Sequence, residues 1–334
     1  MKTYANQIKE NEGVDSLFLV KEKISSVTKA GNSYLRLKLG DRSGEIEGRI
    51  WTSAESVADS FQRDDFVRVK GKAVFFQDRL QLNIAQIERV EEEGIILSDF
   101  FPSTEGDIDE MFRSLIQLSQ QVKNPYLEKL LALFWSDETF LEGFKKAPAS
   151  KQLHHAYLGG LLEHTLSLTR LVQENAGHYE GLNLDLLITG AIFHDLGKVY
   201  ELSYRRSFDY SDEGRLLGHI FIGIEKVEDK IRQIPDFPKD LSMLLKHLLL
   251  SHHGEYDYGS PKKPMIVEAI VLHQLDDMDA KINGIQQFLK ARVPEGSKWS
   301  VYHPLFEQFF YTPTLEDQVE LTDNTDKSEF DQEK

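Results

Sequence analysis

Side chains with metal-ligand chemistry recur in order through the second half of this chain: His164, the adjacent pair His194 and Asp195, His219, the adjacent pair His252 and His253, and Asp276. Each lies in or at the end of an apolar stretch. His164 sits in GGLLEHTLSL, His194 and Asp195 end LLITGAIFHDLGK, His219 follows Leu216, Leu217 and Gly218, the adjacent histidines close LLKHLLLSHHG, and Asp276 lies in IVLHQLDDMDAKI. Imidazoles and carboxylates among leucines cost free energy unless they are paired or ligated. Several of them emerging from apolar helices therefore point to one shared site. Divalent cations are the natural common partner, and a mixed nitrogen and oxygen donor set suits Mn, Fe, Co, Ni or Zn. A carboxylate can bridge two cations whereas an imidazole binds one, so the His194–Asp195 pair is the place for such a bridge. Taken singly, a histidine is more often a hydrogen-bonded core or surface residue. His178 and His303 are left at that reading, and His154, His155, His247 and His273 are read as supporting or structural.

The elements that must carry these residues are helical. After His154 the apolar spacing predicts helices over about Tyr157–Asn175, Leu184–Leu196, Gly218–Gln233, Asp240–Leu250 and Met265–Lys281. Upstream, Asp107–Gln121 and a segment opened by Asn124 and Pro125 show helical spacing, the latter with a stripe of Leu127, Leu130, Leu131 and Phe134. The first ninety residues alternate instead in strand fashion. Leu35, Leu37 and Leu39 can face a core while Tyr34, Arg36 and Lys38 face outward, and Ile46, Gly48 and Ile50 alternate with Glu47, Arg49 and Trp51. Val67 and Val69 alternate with Arg68 and Lys70, and Ala54–Gln62 reads as a short helix between the third and fourth strands. Five strands with a helix after the third is the order of an OB-type barrel.

The expected fold class is thus multidomain α and β, a five-stranded OB-type β-barrel followed by an all-α domain. The expected boundaries are a barrel over 1–90, a helical connector over 91–150, the metal-binding domain over 151–312, and an acidic, disordered tail over 313–334. Length and composition agree, since 334 residues with 40% hydrophobic side chains suffice for two cores. The absence of cysteine excludes disulfide and thiolate sites. No apolar run approaches a membrane span and the first residues lack a secretory pattern, so a cytoplasmic location without membrane contact is expected. The formal net charge of -16 argues against broad binding to duplex DNA, which needs lysine and arginine.

The segments GGLLEHTLSL, AIFHDLGK, GHI, SHHG and HQLDDMDAKI resemble the successive motifs of the HD superfamily of metal-dependent phosphohydrolases. With an OB-like barrel in front, the chain resembles the YhaM-type 3'-5' exoribonucleases of Gram-positive bacteria from the first strand to about Pro313. That resemblance implies two divalent ions, Mn²⁺ or Co²⁺, and hydrolysis of single-stranded RNA, with single-stranded DNA as a further substrate, to nucleoside 5'-monophosphates. It implies His164, His194, Asp195 and Asp276 around the first ion, with Asp195 bridging to a second held by His219, His252 and His253. One of the last two histidines is alternatively a substrate contact. Asp195 and Lys198 would carry the catalysis, Lys198 by facing the scissile phosphate; the alternative is a lysine balancing a helix C-terminus. Glu163 is read either as orienting an imidazole or as a solvated side chain. On the barrel, Tyr34, Arg36, Lys38, Arg49 and Trp51, with Lys70 and Lys72 on a neighbouring strand and Phe76 and Arg79 in the following loop, form the expected single-strand contact. Alternatively, Trp51 and Phe75 fill an interface with the helices. A phosphohydrolase of small nucleotides or cyclic dinucleotides, and a non-catalytic single-strand-binding module, are the competing functional readings, and a homo-oligomer is left open.

Overall fold

The computed structural model describes residues 2–28, 31–52, 54–151, 155–203 and 209–312. His154 and the acidic segment 313–334 lie outside the described residues. The chain forms two compact units, Met1–Asp277 and Met278–Lys334.

The first unit opens with β1 (Gly13–Val27), β2 (Ser33–Asp41), β3 (Gly44–Ile50), α1 (Ala54–Ala58), β4 (Phe66–Phe76) and β5 (Arg79–Val90). The strands close into a barrel in the order β1-β2-β3-β5-β4, antiparallel throughout except for the parallel β3–β5 pair. Strand alternation explains the filling: Leu35, Leu37, Leu39, Ile46, Ile50, Val67 and Val69 are buried inside with Phe18, Phe61 and Leu82. The β4–β5 hairpin turns on Gln77 and Asp78, both at positive φ (49° and 59°), the conformation that matches a two-residue turn to strand twist.

A second apolar cluster joins the barrel to the helical part of the chain. Leu19 and Phe66 from the barrel pack with Phe100, Phe101 and Leu158, and the Phe66 and Phe100 rings meet edge-on at 4.7 Å. Near it, Tyr4 Oη donates to Asp99 Oδ1 at 2.6 Å and Lys2 Nζ lies 3.4 Å over the Phe100 ring.

The helices are α2 (Ile108–Ser119), α3 (Pro125–Trp135), α4 (Glu138–Lys146), α5 (Gly160–Ala176), α6 (Leu184–Phe193), α7 (Lys198–Glu201), α8 (Asp212–Ile231), α9 (Lys239–Ser251) and α10 (Val267–Arg292), with a short hairpin β6 (Leu202–Ser203) and β7 (Asp209–Tyr210) between α7 and α8. Asp107, Asn124, Asp137, Asn183 and Ser211 cap α2, α3, α4, α6 and α8 by accepting backbone N–H groups, which is why those helices begin where they do. One core runs through α2–α6, α8, α9 and the start of α10, with Leu115, Phe134, Phe144, Leu162, Phe193, Leu245 and Leu272 at its centre. Sequence spacing did not delimit α4, which falls within the expected helical connector, and it missed α7 and the β6–β7 hairpin, which are short. It started α8 at Gly218, whereas that helix begins at Asp212 and is broken at Gly218 (φ 74°, ψ 156°). Among the described residues, no helix is long and apolar enough to cross a membrane.

The described part of the second unit carries the remainder of α10 and a compact segment held by the bridges Trp299–Tyr311 and His303–Gln308. His303 is packed there among the rings of Phe288, Phe306 and Phe310.

Candidate metal centre and single-strand interface

The sequence-predicted ligands arrive from five helices. His164 sits on the first turns of α5. Helix α6 is buried over Leu186–Phe193, so its C-terminal end delivers His194 and Asp195 into the interior. His219 follows the break in α8, His252 and His253 close α9, and Asp276 lies on α10. His164, His194, Asp195 and His252 are at most 2% exposed.

These side chains form two groups. His164, His194 and Asp276 converge on one side: His164 Nε2 is 3.1 Å from His194 Nε2 and 3.1 Å from Asp276 Oδ1, and His194 Nε2 is 3.7 Å from Asp276 Oδ1. His219, His252 and His253 converge on the other. Asp195 stands between them. Its Oδ2 is 3.3 Å from His194 Nε2 and 3.8 Å from His164 Nε2, while its Oδ1 is 3.4 Å from His219 Nε2 and 3.6 Å from His252 Nε2.

Backbone contacts decide which nitrogen each imidazole presents. His194 Nδ1 donates to Ala191 O at 2.8 Å, His252 Nδ1 to Leu249 O at 2.8 Å, and His253 Nδ1 to Tyr258 O at 2.9 Å. A carbonyl only accepts, so in each ring the proton is on Nδ1 and the Nε2 lone pair is free to ligate. His219 differs: its Nδ1 and its backbone N–H both lie on Glu201 Oε1, at 3.1 and 3.0 Å. Burial first, then His253 and His194, lower the pKa of His252 well below the ordinary imidazole value. Burial and His219 lower that of His253. Burial thus favours the neutral form of both rings. Burial of Asp195 would by itself raise its pKa, but Lys198, His194 and His219 outweigh it and hold the carboxyl well below the ordinary range.

On the barrel, the register sets a second constellation. Arg36 on β2 lies opposite Arg49 on β3, Arg49 opposite Asn83 on β5, and Asn83 opposite Lys72 on β4. Beside this row, Tyr34 and Trp51 stack at 4.8 Å with planes 23° apart, and Trp51 Nε1 donates to Asn83 Oδ1 at 3.3 Å. The Arg49 guanidinium is 5.7 Å from the Trp51 ring and 5.2 Å from that of Phe76. Trp51, Phe75 and Phe76 are 44%, 55% and 47% exposed, which removes the reading that Trp51 and Phe75 fill a domain interface. Because β5 pairs with β3, β4 is not its neighbour as the sequence suggested, and Lys72 enters the row from two strands away. The register shift after Lys70 leaves that lysine opposite Gln86, with its Nζ 3.8 Å from Asp15 on β1. Lys38 is paired with Glu45 at 2.8 Å, and Arg79 is exposed opposite Phe76.

Family models match both regions of the chain. Residues 161–281 match the HD domain, and residues 19–90 match the OB-fold nucleic acid binding domain. The chain is 36% identical over 306 residues to the 3'-5' exoribonuclease YhaM of Listeria monocytogenes, covering 91% of this chain and 96% of that protein. It is 34% identical over 305 residues to the YhaM of Bacillus subtilis, with the same coverage of each. This chain belongs to the YhaM family. The HD domain makes divalent-metal dependence part of its chemistry, and the donor set fits such ions. Asp195 Oδ1, His219 Nε2 and His252 Nε2 are buried without a hydrogen-bond partner and face one another, which is costly unless a cation takes all three lone pairs.

The other side chains singled out around this YhaM-family site have partners of their own. Lys198 is the first residue of the single-turn helix α7. It is 8% exposed, and its Nζ lies 2.6 Å from Asp195 Oδ2. Glu163 orients no imidazole in this arrangement; it accepts from the Thr104 hydroxyl of the inter-domain segment. His155 Nδ1 is 2.8 Å from Tyr157 Oη, and His247 Nε2 accepts from Met265 N–H at 2.9 Å. His273 supports the paired histidines: its Nδ1 donates to His252 O at 2.9 Å, and its ring fills the place where a Cβ on Gly254 (φ 77°) would stand. Sequence reasoning missed Glu201 and Gly197 altogether. Glu201 meets His219 across a hairpin, at a separation no helical period encodes.

Proposed function

We propose that this protein is a divalent-metal-dependent 3'-5' exonuclease that shortens single-stranded RNA, and single-stranded DNA in the same way, releasing nucleoside 5'-monophosphates. The observation that carries the reading is Asp195, whose two oxygens each face one group of ligand atoms. In this reading His164, His194 and Asp276 with Asp195 would hold one ion, and His219, His252 and His253 with Asp195 would hold a second. Mn²⁺ or Co²⁺ suits this nitrogen-rich shell. The ions, when bound, polarise the phosphate and generate the nucleophile at neutral pH.

The remaining work belongs to the chain. Asp195 fixes the spacing of the two subsites. Lys198, held against Asp195 Oδ2, lies where charge accumulating on the non-bridging phosphate oxygens can be neutralised. The carbonyls of Ala191, Leu249 and Tyr258 keep three imidazoles protonated on Nδ1 throughout. On the barrel, Tyr34, Trp51 and Phe76 offer faces to unpaired bases while Arg36, Arg49, Lys72 and Arg79 meet the backbone, a combination that binds single strands without reading sequence. Lys38 and Lys70 contribute less, being matched by Glu45 and Asp15. This platform favours a polymer over a small nucleotide. A cysteine-free chain acting on RNA suits the cytoplasm.

The test is a time course with 5'-labelled single-stranded RNA, in Mn²⁺ and in chelator. The expected result is a ladder shortening from the 3' end in Mn²⁺ and none in chelator. Turnover of small nucleotides alone, or no turnover, refutes the reading.

A further inference from the structure

Among His194, His219, His252 and His253, it is His219 that has a carboxylate partner. The Nδ1 atoms of His194, His252 and His253 are satisfied by backbone carbonyls, whereas that of His219 meets a carboxylate, Glu201 Oε1. The same oxygen accepts the His219 backbone N–H. That N–H is the first after the break at Gly218, where the helical conformation is interrupted. Glu201 is 7% exposed and sits at the C-terminal end of α7, so its carboxylate is delivered from the same short segment that carries Lys198. On the far side of the ring, Nε2 faces Asp195 Oδ1 at 3.4 Å with no hydrogen-bond partner of its own.

We propose that Glu201 is a positioning residue that fixes the His219 proton on Nδ1 and aims Nε2 at Asp195 Oδ1, conferring high affinity on the second metal subsite. The inference rests on the reading of His219 as a ligand of the second ion. Two physical effects support it. One carboxylate oxygen gripping both ring and backbone N–H restrains χ1 and χ2 of His219, so little order remains to be imposed when a cation is taken up. A carboxylate behind an imidazole also makes Nε2 a stronger donor than a carbonyl does, and loss of such a partner typically costs about 10–100-fold in metal affinity. His194 has no such partner, so removal of Glu201 acts on one subsite and leaves the other.

The experiment is a Mn²⁺ titration of the full chain, counting bound ions by electron paramagnetic resonance, for the wild type, Glu201→Gln, Glu201→Asp, His219→Ala and Glu201→Gln with His219→Ala. The wild type is expected to take up two ions. Glu201→Gln should leave one site unchanged and weaken the other about 10–100-fold. Glu201→Asp, which keeps the charge, should recover part of that loss, and this arm stands if the Gln variant does not fold. In the His219→Ala background, Glu201→Gln should change nothing further. Unaltered binding in both Glu201 variants, alongside an ion lost in His219→Ala, overturns the role of Glu201. Two ions retained by His219→Ala overturns instead the ligand reading beneath it. The nitrogen chemical shifts of His219 in the chelated protein give an independent reading: an Nδ1–H tautomer in the wild type that is unchanged in Glu201→Gln and Glu201→Asp, with affinity also unchanged, sinks the proposal.

Discussion

Gly197→Ala isolates the spacing between the two halves of the centre. Gly197 has φ -63° and ψ -21°, a conformation any residue adopts, so alanine there carries no backbone penalty. The crowding is another matter. A Cβ at Gly197 would stand 1.9 Å from His219 O and 2.8 Å from Gly223 N, where ordinary contact begins at 3.4 Å. The turn bearing Asp195 and the backbone of α8 must therefore part by about 1.5 Å. His194 and Asp195 precede this point and move together, whereas His219 is on the other side. The Asp195 Oδ1 to His219 Nε2 distance of 3.4 Å takes the opening, and metal sites tolerate only about 0.2 Å. Overpacking costs about 1–3 kcal/mol of stability, a drop of a few degrees in Tm. A misplacement of this size costs about 100-fold in rate. The assays are thermal unfolding, Mn²⁺ counting and single-turnover hydrolysis of RNA. The expected variant is folded, holds one ion firmly and is slower by about two orders of magnitude. Two tightly bound ions and a rate within threefold of wild type would refute the reasoning. Gly177→Ala is the control, since a Cβ there meets nothing within 4 Å.

Trp51→Ala removes half of the Tyr34–Trp51 stack, and a base–aromatic contact is worth about 1–3 kcal/mol. The KM for a single-stranded oligonucleotide should rise about tenfold or more while that for a dinucleotide stays put; equal rises for both would count against the platform. Asp137→Ala deletes the cap of α4 and the 2.7 Å pair with Lys230, at a cost of about 1 kcal/mol near neutral pH. The Lys230 ammonium and the Phe140 N–H hold the Asp137 carboxyl below its ordinary value. The contribution is therefore complete above the unfolded carboxyl pKa of about 3.9 and is lost as pH falls through the lower folded value. Denaturant unfolding of both proteins from pH 7 into that acid range should show the gap closing, and a constant gap would exclude the ion pair as its source.

The candidate metal ligands were legible because each is a polar residue interrupting an apolar helix, and such interruptions are costly enough to demand a reason. His164, His194, His219 and Asp276 stand out in one dimension for that reason. The barrel was legible through strand alternation at Leu35, Leu37 and Leu39, but its closure was not. The parallel β3–β5 pair joins segments with no pattern in common, so Lys72 was placed one strand too close to Arg49. Gly197 and Glu201 were invisible for a related reason. Each acts through a partner that only the fold supplies, across a hairpin or between helix ends, and a lone glycine or glutamate has no period to betray it. The same holds for the seam of Leu19, Phe66, Phe100, Phe101 and Leu158. Cutting the barrel away would bare Phe100 and Phe101, so point substitutions on Trp51 test the platform better than truncation does.

The carbonyls that set the imidazole tautomers belong to the last turns of α6 and α9. Those turns are therefore gauges as well as scaffolds. If either frays by a single residue, its ring loses the acceptor that keeps Nδ1 protonated, and the donor atom of the centre can change identity before any helix has melted.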